Sequence, residues 1–430
     1  MSTPTIAPAG GTVAGRPQPQ TTAQPQGGPF VRHAPDGRRA QYVDTQAFGG
    51  FMSRPTVSMP GYAKGYKLAV TTSTAGTGSG SATTVSADAP WNLFSLVQMK
   101  DAFGTQLIVG PGYEMLFLVP LYSGQFGTDL MRSPASSPQY QTINTTTSGS
   151  VYVGFSTYLS FEFAKAYGVI SGANAALLPV LQANLAAATT LWTANAPSTS
   201  PTLQQTLDSD FYWLPSAATD PPGLGTTCQW IYQQATPQIS ATSTTSSSQL
   251  VQLPRLGGYL TVLILELRDS AGNRMTADYA YASSGQGVAY AGTTAGQGWP
   301  ARPKILVDGV PLIDSTWAGL QEDLAISMQI GAVSNPTVTA GSGTNSGTTA
   351  TARPLGTMAL NRKTSLSQKD HGLLDTGEIF LSTNPGTQIE IAGYPWGYNN
   401  STSSPTSMTV NAVVGQVVPT GALVQGLPEV

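Results

Sequence analysis

Trp91-Asn-Leu-Phe-Ser-Leu-Val-Gln-Met-Lys-Asp101-Ala-Phe-Gly104 and Tyr259-Leu-Thr-Val-Leu-Ile-Leu-Glu-Leu-Arg-Asp269-Ser-Ala-Gly272 align without a gap at an offset of 168 residues. Trp91 falls on Tyr259, Leu96 on Ile264 and Met99 on Leu267; Lys100-Asp101 falls on Arg268-Asp269 and Gly104 on Gly272. Each copy is an apolar, strand-like run closed by a basic residue, an Asp and, three positions on, a Gly. That is the chemistry of a strand entering a turn: the Asp carboxylate bonds nearby backbone N–H groups, and Gly takes the positive φ that a side chain resists.

The similarity extends upstream. Residues 67–70 lead into the Thr/Ser/Gly-rich loop 71–84, and residues 238–239 into the Thr/Ser loop 240–248. Loop, short strand, aromatic and turn in matched order predict a duplicated unit. The period is far too long for a solenoid repeat and is about the size of one β-sandwich domain.

The remaining segments read as short strands. Residues 113–122 form a continuous apolar run, expected as a core strand, and 151–163 partly alternate. Residues 178–185, 202–207 and 211–214 are β-like runs bounded by Pro, Ser and Asn; 304–307, 310–313, 378–381, 388–391 and 408–418 follow in the second half. Asp308-Gly309 between Val307 and Val310 predicts a hairpin, because Asp-Gly favours the primed turns that match strand twist. One helix is expected over 317–328, with Ser315 as cap and Trp317, Leu320, Leu324 and Met328 at helical spacing. Long polar loops are expected at 131–150, 282–298 and 334–351, pointing outward and carrying contacts.

Composition agrees with a mainly β chain. Charged residues are only 10 % of the 430, well below the roughly 25 % of ordinary soluble domains. Yet Tyr (17), Phe (12) and Trp (7) are too frequent for a disordered chain. The net charge of −3 excludes a nucleic-acid binder by bulk charge. It is unevenly spread: residues 1–66 hold six cations (Arg16, Arg32, Arg38, Arg39, Arg54, Lys64) against Asp36 and Asp44, placing a basic arm on an acidic body. Residues 1–30, rich in Pro, Gln, Thr, Ala and Gly, cannot bury enough apolar surface to offset chain entropy and are expected to be a flexible tail. The first 30 residues lack the apolar core of a signal peptide, and no stretch approaches the length of a membrane helix.

Candidate chemistry is sparse. His33 and His371 are the only histidines and sit in polar stretches; no Gly-x-Ser-x-Gly elbow accompanies them. Cys228, the single cysteine, excludes an intrachain disulfide or a cysteine-based zinc cluster, and with no activating neighbour it is expected to be structural, near Trp230. Asp208 and Asp210 form an acidic pair without a calcium-loop pattern and are expected at a solvated strand end. Gly76-Thr-Gly-Ser-Gly80 lacks the Gly-Lys-Ser/Thr ending of a phosphate loop and reads as flexible. Asn144-Thr-Thr and Asn400-Ser-Thr match the glycosylation triplet, without a secretion signal to give it meaning. No catalytic residue, cofactor or metal site is expected. The functional candidates are the arm cations Arg32, Arg38, Arg39 and Arg54, as interior-facing contacts.

Two sandwiches, each with a strand ending in basic-Asp-x-x-Gly, resemble the double jelly-roll major capsid proteins, and most closely those of tectivirus-like phages whose shells enclose a membrane. The likeness is carried by Asn92-Leu93-Phe94 through Asp101 and Gly104, by Gly168-Val-Ile-Ser-Gly-Ala-Asn174 with Leu178-Pro-Val-Leu-Gln-Ala-Asn-Leu185, and by the hairpin and helix of 304–328. The resemblance implies two consecutive eight-stranded jelly rolls with few short helices: a flexible basic arm over 1–59, sandwiches over 60–232 and 233–420, and a tail over 421–430. It further implies a non-enzymatic chain, made in the host cytoplasm, that forms pseudo-hexagonal homotrimers in an icosahedral virion. Its partners would be itself, neighbouring capsomers, penton and minor capsid proteins, and, through the arm, an internal membrane or the packaged genome. The alternatives are a glycan-binding spike or fibre and a carbohydrate-active β-sandwich enzyme, which would need a carboxylate pair in an aromatic cleft.

Overall fold

The computed structural model describes residues 36–55, 61–81, 83–86, 88–101, 104–122, 141–143, 148–160, 169–171, 179–213, 226–236, 238–240, 249–253, 258–269, 271–273, 299, 302–316, 319–320, 356–361, 381–383, 388–393 and 407–419. Its principal strands fall into two sets of eight. The first set is β1 (Asp36–Gln46), β2 (Phe51–Pro55), β3 (Gly61–Thr74), β4 (Phe94–Lys100), β5 (Gln106–Gly110), β6 (Val153–Ser160), β7 (Val180–Leu185) and β8 (Thr202–Trp213). The second is β9 (Thr226–Gln234), β10 (Gln249–Gln252), β11 (Gly258–Asp269), β12 (Lys304–Val307), β13 (Val310–Asp314), β14 (Thr357–Asn361), β15 (Ile389–Gly393) and β16 (Ser407–Pro419).

The two sets are wired identically. In the first, β1-β8-β3-β6 form one sheet and β2-β7-β4-β5 the other; in the second, β9-β16-β11-β14 and β10-β15-β12-β13 do the same. Adding eight to each strand number converts one unit into the other. This order, in which the last strand returns to lie beside the first, is that of a jelly roll, and the chain is a double jelly roll. The units are fused edge to edge. β5 runs parallel to β9 through Ile108 beside Trp230 and Val109 beside Ile231, so β2-β7-β4-β5 and β9-β16-β11-β14 form one continuous sheet.

Burial follows the layers. β3 and β8 alternate buried and half-exposed residues, as expected of sheets with one wet face; Tyr66, Leu68, Leu203 and Leu207 point into the first core. β11 is instead buried on both faces from Leu260 to Arg268. Leu263, Leu265 and Leu267 enter the second core, whereas Val262 and Ile264 join the first. A strand covered on both sides is apolar on both, which is why residues 262–265 do not alternate.

Four expectations are corrected. Residues 113–122 are not a strand: Glu114–Leu118 is a wide helical turn continued by an α-turn over Val119–Tyr122, buried throughout. A run that is apolar all round suits a helix enclosed on every side as well as a core strand. Gly112 permits the chain to enter this helix, since a Cβ there would lie 2.4 Å from the Trp91 carbonyl oxygen. Secondly, residues 36–46 and 51–55 of the expected flexible arm are β1 and β2, paired with β8 and β7 at the sheet edges. Edge strands tolerate the charge that made this stretch read as an arm. Thirdly, residues 202–207 and 211–213 belong to one strand, β8, and residue 214 falls outside the described residues.

The fourth concerns the repeat itself. β4 and β11 are not equivalent, because β4 corresponds to β12 and β11 to β3. The equivalent starts are Gly61-Tyr62 and Gly258-Tyr259, each opening with a positive-φ glycine. What β4 and β11 share is the turn after them. Asp101 Oδ1 accepts the Thr105 N–H at 2.7 Å, and Asp269 Oδ1 accepts the Asn273 N–H at 2.7 Å. Gly104 and Gly272 donate back to the Asp carbonyls at 3.1 and 2.9 Å, with φ of 85° and 81°. The aligned motif is one turn used twice, one strand out of phase with the duplication.

Candidate functional site: the charged seam between the sandwiches

β11 carries two charged side chains on the face turned towards the first sandwich, Glu266 and Arg268, two residues apart and both buried. The enclosed helix of the first sandwich presents Glu114, and the loop before β4 presents Asp88. They meet at the seam. The Arg268 guanidinium donates to Glu266 Oε2 through Nε at 2.9 Å and to Asp88 Oδ2 through Nη1 at 2.7 Å, while Nη2 lies 3.5 Å from Glu114 Oε1. Nη1 also donates to the Gly272 carbonyl at 2.8 Å, and the guanidinium carbon sits 5.2 Å from the centre of the Tyr113 ring. The planar fork of arginine reaches several acceptors at once, which a lysine ammonium cannot match.

Three carboxylates around one guanidinium cannot all remain charged in a buried site at little cost. Burial, the Glu266 charge and the Asp88 charge push the Glu114 carboxyl up to about 8, against the pull of Arg268, so Glu114 holds a proton at neutral pH. Burial opposes the Arg268 charge, yet Glu266, Asp88 and Glu114 together hold its pKa well above the ordinary value. Burial, then the Glu114 and Glu266 charges, raises the Tyr232 phenol as well. A cavity of about 400 Å³ adjoins the cluster, its polar wall completed by Gln234, Thr409 and Asn411.

The neutral contacts across the seam are aromatic and hydroxylic. Trp230 of β9 donates its indole N–H to the Ser160 carbonyl at 2.9 Å, and Cys228 on the same strand is buried beside that carbonyl. The Tyr122 hydroxyl bonds the Thr357 hydroxyl of β14. A Cβ on Gly415 of β16 would lie 2.5 Å from the Trp230 ring, so the glycine makes room for the indole. These contacts suit a rigid joint; among the described residues no group of three or more His, Cys, Asp or Glu could hold a metal ion.

The sequence candidates lie elsewhere. Arg32, His33, His371, Asn144 and Asn400 fall outside the described residues. Arg38 and Arg39 are on β1 opposite Asp210 and Ser209, and Arg54 is on β2 opposite Leu181. Asp210 is within β8, not at its end; it accepts the Tyr158 hydroxyl at 3.0 Å and lies 3.8 Å from Lys64. Gly76 opens a two-residue strand paired with Ser150–Val151, packed against the Thr199 carbonyl. Of the helix expected at 317–328, Gly319 and Leu320 are seen, capped by Thr316 rather than Ser315; residues 321–328 fall outside the described set.

Comparison with known proteins places the fold. The STIV MCP is similar over 91 % of this chain and 100 % of its own, at a TM-score of 0.54 and 12 % identity. A chain of the Sulfolobus turreted icosahedral virus structure is similar over 89 % and 91 %, at 0.52 and 13 %. PBCV-1 VP54, fitted into a reconstruction of the virophage Sputnik, covers 89 % and 93 % at 0.49 and 12 %. No family model and no curated protein sequence matches. At such identities the likeness is one of fold, and it extends across both jelly rolls.

Proposed function

We propose that this chain is the major capsid protein of an icosahedral virus and that its function is geometric. The observation that carries the proposal is the doubled wiring: two jelly rolls of like topology, joined by a continuous sheet, matching the STIV MCP over that protein's whole length. Two fused units of similar footprint give a homotrimer a nearly six-sided outline, a tile able to pack beside six neighbours in closed symmetry. Such a tile requires rigidity between its halves, which the Arg268 cluster and the Trp230 packing provide, and no catalytic group.

A bacterial, membrane-containing virus is supported by the sequence resemblance around Asn92–Gly104 and residues 168–185 alone. Penton and minor capsid proteins as partners, and contacts of Arg32, Arg38, Arg39 and Arg54 with a membrane or genome, follow from that reading. Near an anionic lipid surface each cation would contribute up to about 1 kcal/mol. Because β1 and β2 are edge strands, we place the contacts of Arg38, Arg39 and Arg54 at subunit edges, leaving Arg32 for the interior. Sedimentation of the purified chain tests the assembly unit: a species of three times the 44.6 kDa chain mass is expected, and a strictly monomeric protein at all concentrations would count against the proposal.

A further inference from the structure

We propose that the seam between the sandwiches is a pH-sensitive joint, in which one guanidinium from the second unit serves three carboxyl groups drawn from both, and which is tightest in acid and loosens as the pH rises through neutrality. The geometry sets the imbalance. Arg268 reaches Glu266 on its own strand but Asp88 and Glu114 across the seam, so two of its three carboxyl contacts exist only while the units are closed. Glu114 Oε2 accepts no hydrogen bond although the side chain is 5 % exposed. A carboxylate so placed gains little from ionising, whereas a carboxylic acid is tolerated.

The groups facing Glu114 come from every element packed on it: Glu266 and Arg268 from β11, Asp88 from the loop before β4, Tyr232 from β9 and Tyr113 from the turn of its own helix. β16 supplies Thr409 and Asn411, which are uncharged. Removing the Glu114 proton leaves three negative charges against one positive. The adjoining cavity, roomy against the roughly 30 Å³ a water occupies in the liquid, gives that proton a route to solvent.

The sign follows from linkage. Glu114 titrates near 8 in the closed seam and near its ordinary 4.5 once exposed. Between those values the closed state keeps a proton that the open state has lost, so closure weakens as pH rises and the effect levels off above about 8. The opening constant should grow by about tenfold per pH unit within that window.

The inference concerns the isolated chain and stands whether or not the chain builds a shell. Amide exchange of the full chain at pH 5.5 to 9, corrected for intrinsic base catalysis, would compare Ile108, Val109, Trp230 and Ile231 at the seam with Leu68 and Val70 inside β3. Seam protection is expected to fall with pH more steeply than that of β3, and Glu114→Gln, which mimics the neutral acid, is expected to abolish the difference. An equal slope at both places in the wild type, or a slope retained in E114Q, would overturn the joint. Should E114Q fail to fold, Asp88→Asn serves instead. Loss of that charge eases ionisation of Glu114, so the plateau should arrive at lower pH; an unmoved plateau would overturn the proposal.

Discussion

Arg268 of the second jelly roll lies 2.7 Å from Asp88 of the first, and the bond spans 180 residues of chain. Removing one partner of a buried ion pair leaves the others uncompensated and costs about 3–5 kcal/mol. Arg268→Ala is therefore expected to lower stability by about that amount in urea unfolding. Arg268→Lys should recover only part of the loss, because one ammonium cannot reach Glu266, Asp88 and the Gly272 carbonyl together. Full recovery by lysine would show that charge alone, without the fork, holds the seam.

The close approach of Gly415 to Trp230 gives a second expectation. Gly415→Ala pushes a methyl into the indole and should destabilise by about 1–3 kcal/mol, with a shift in Trp fluorescence that reports the displaced ring. A neutral outcome would mean that β16 and β9 separate more easily than their packing implies.

The paired turns give a third expectation. Asp269 Oδ1 accepts the N–H groups of Ala271 and Asn273, and Asp101 Oδ1 accepts that of Thr105. At about 0.5–1.5 kcal/mol per net hydrogen bond, Asp269→Ala and Asp101→Ala should each lower the midpoint of thermal denaturation. An unchanged midpoint in either variant would contradict the reading of these turns.

Deletions at the N-terminus separate arm from fold. Removing residues 1–35 stops short of β1 and should leave the melting midpoint unchanged. Removing residues 1–46 strips β1 from β8, uncovers ten paired backbone positions from Leu203 to Tyr212, and should produce aggregation visible in light scattering, as exposed strand edges do. If both truncations behave alike, β1 contributes nothing to the first sandwich.

Much of this architecture was readable before any coordinates. The partial alternation of β6, the Asp308-Gly309 hairpin and the apolar run of β11 each reported local burial or turn chemistry, which the local sequence encodes directly. The phase of the duplication was not readable. The Lys100-Asp101 and Arg268-Asp269 stretches match because both obey the same turn rules, while the true equivalents, β3 and β11, differ in how many faces they bury. The helix at 114–122 was hidden for a related reason: enclosed on all sides, it loses the amphipathic period that marks a helix. The seam had only a faint signature, a lone Glu114 in one apolar run and Glu266 with Arg268 two apart in another. Charges inside such runs are costly unless paired, and that is the signal by which they could be found; their pairing with each other and with Asp88 depends on tertiary structure.

Cryo-electron microscopy of the purified, assembled protein tests the central claim most directly. The account predicts three-fold tiles of six-sided outline, with two jelly rolls per chain standing side by side and the β5–β9 junction between them. Particles built from single-sandwich subunits, or an oligomer without three-fold symmetry, would contradict it.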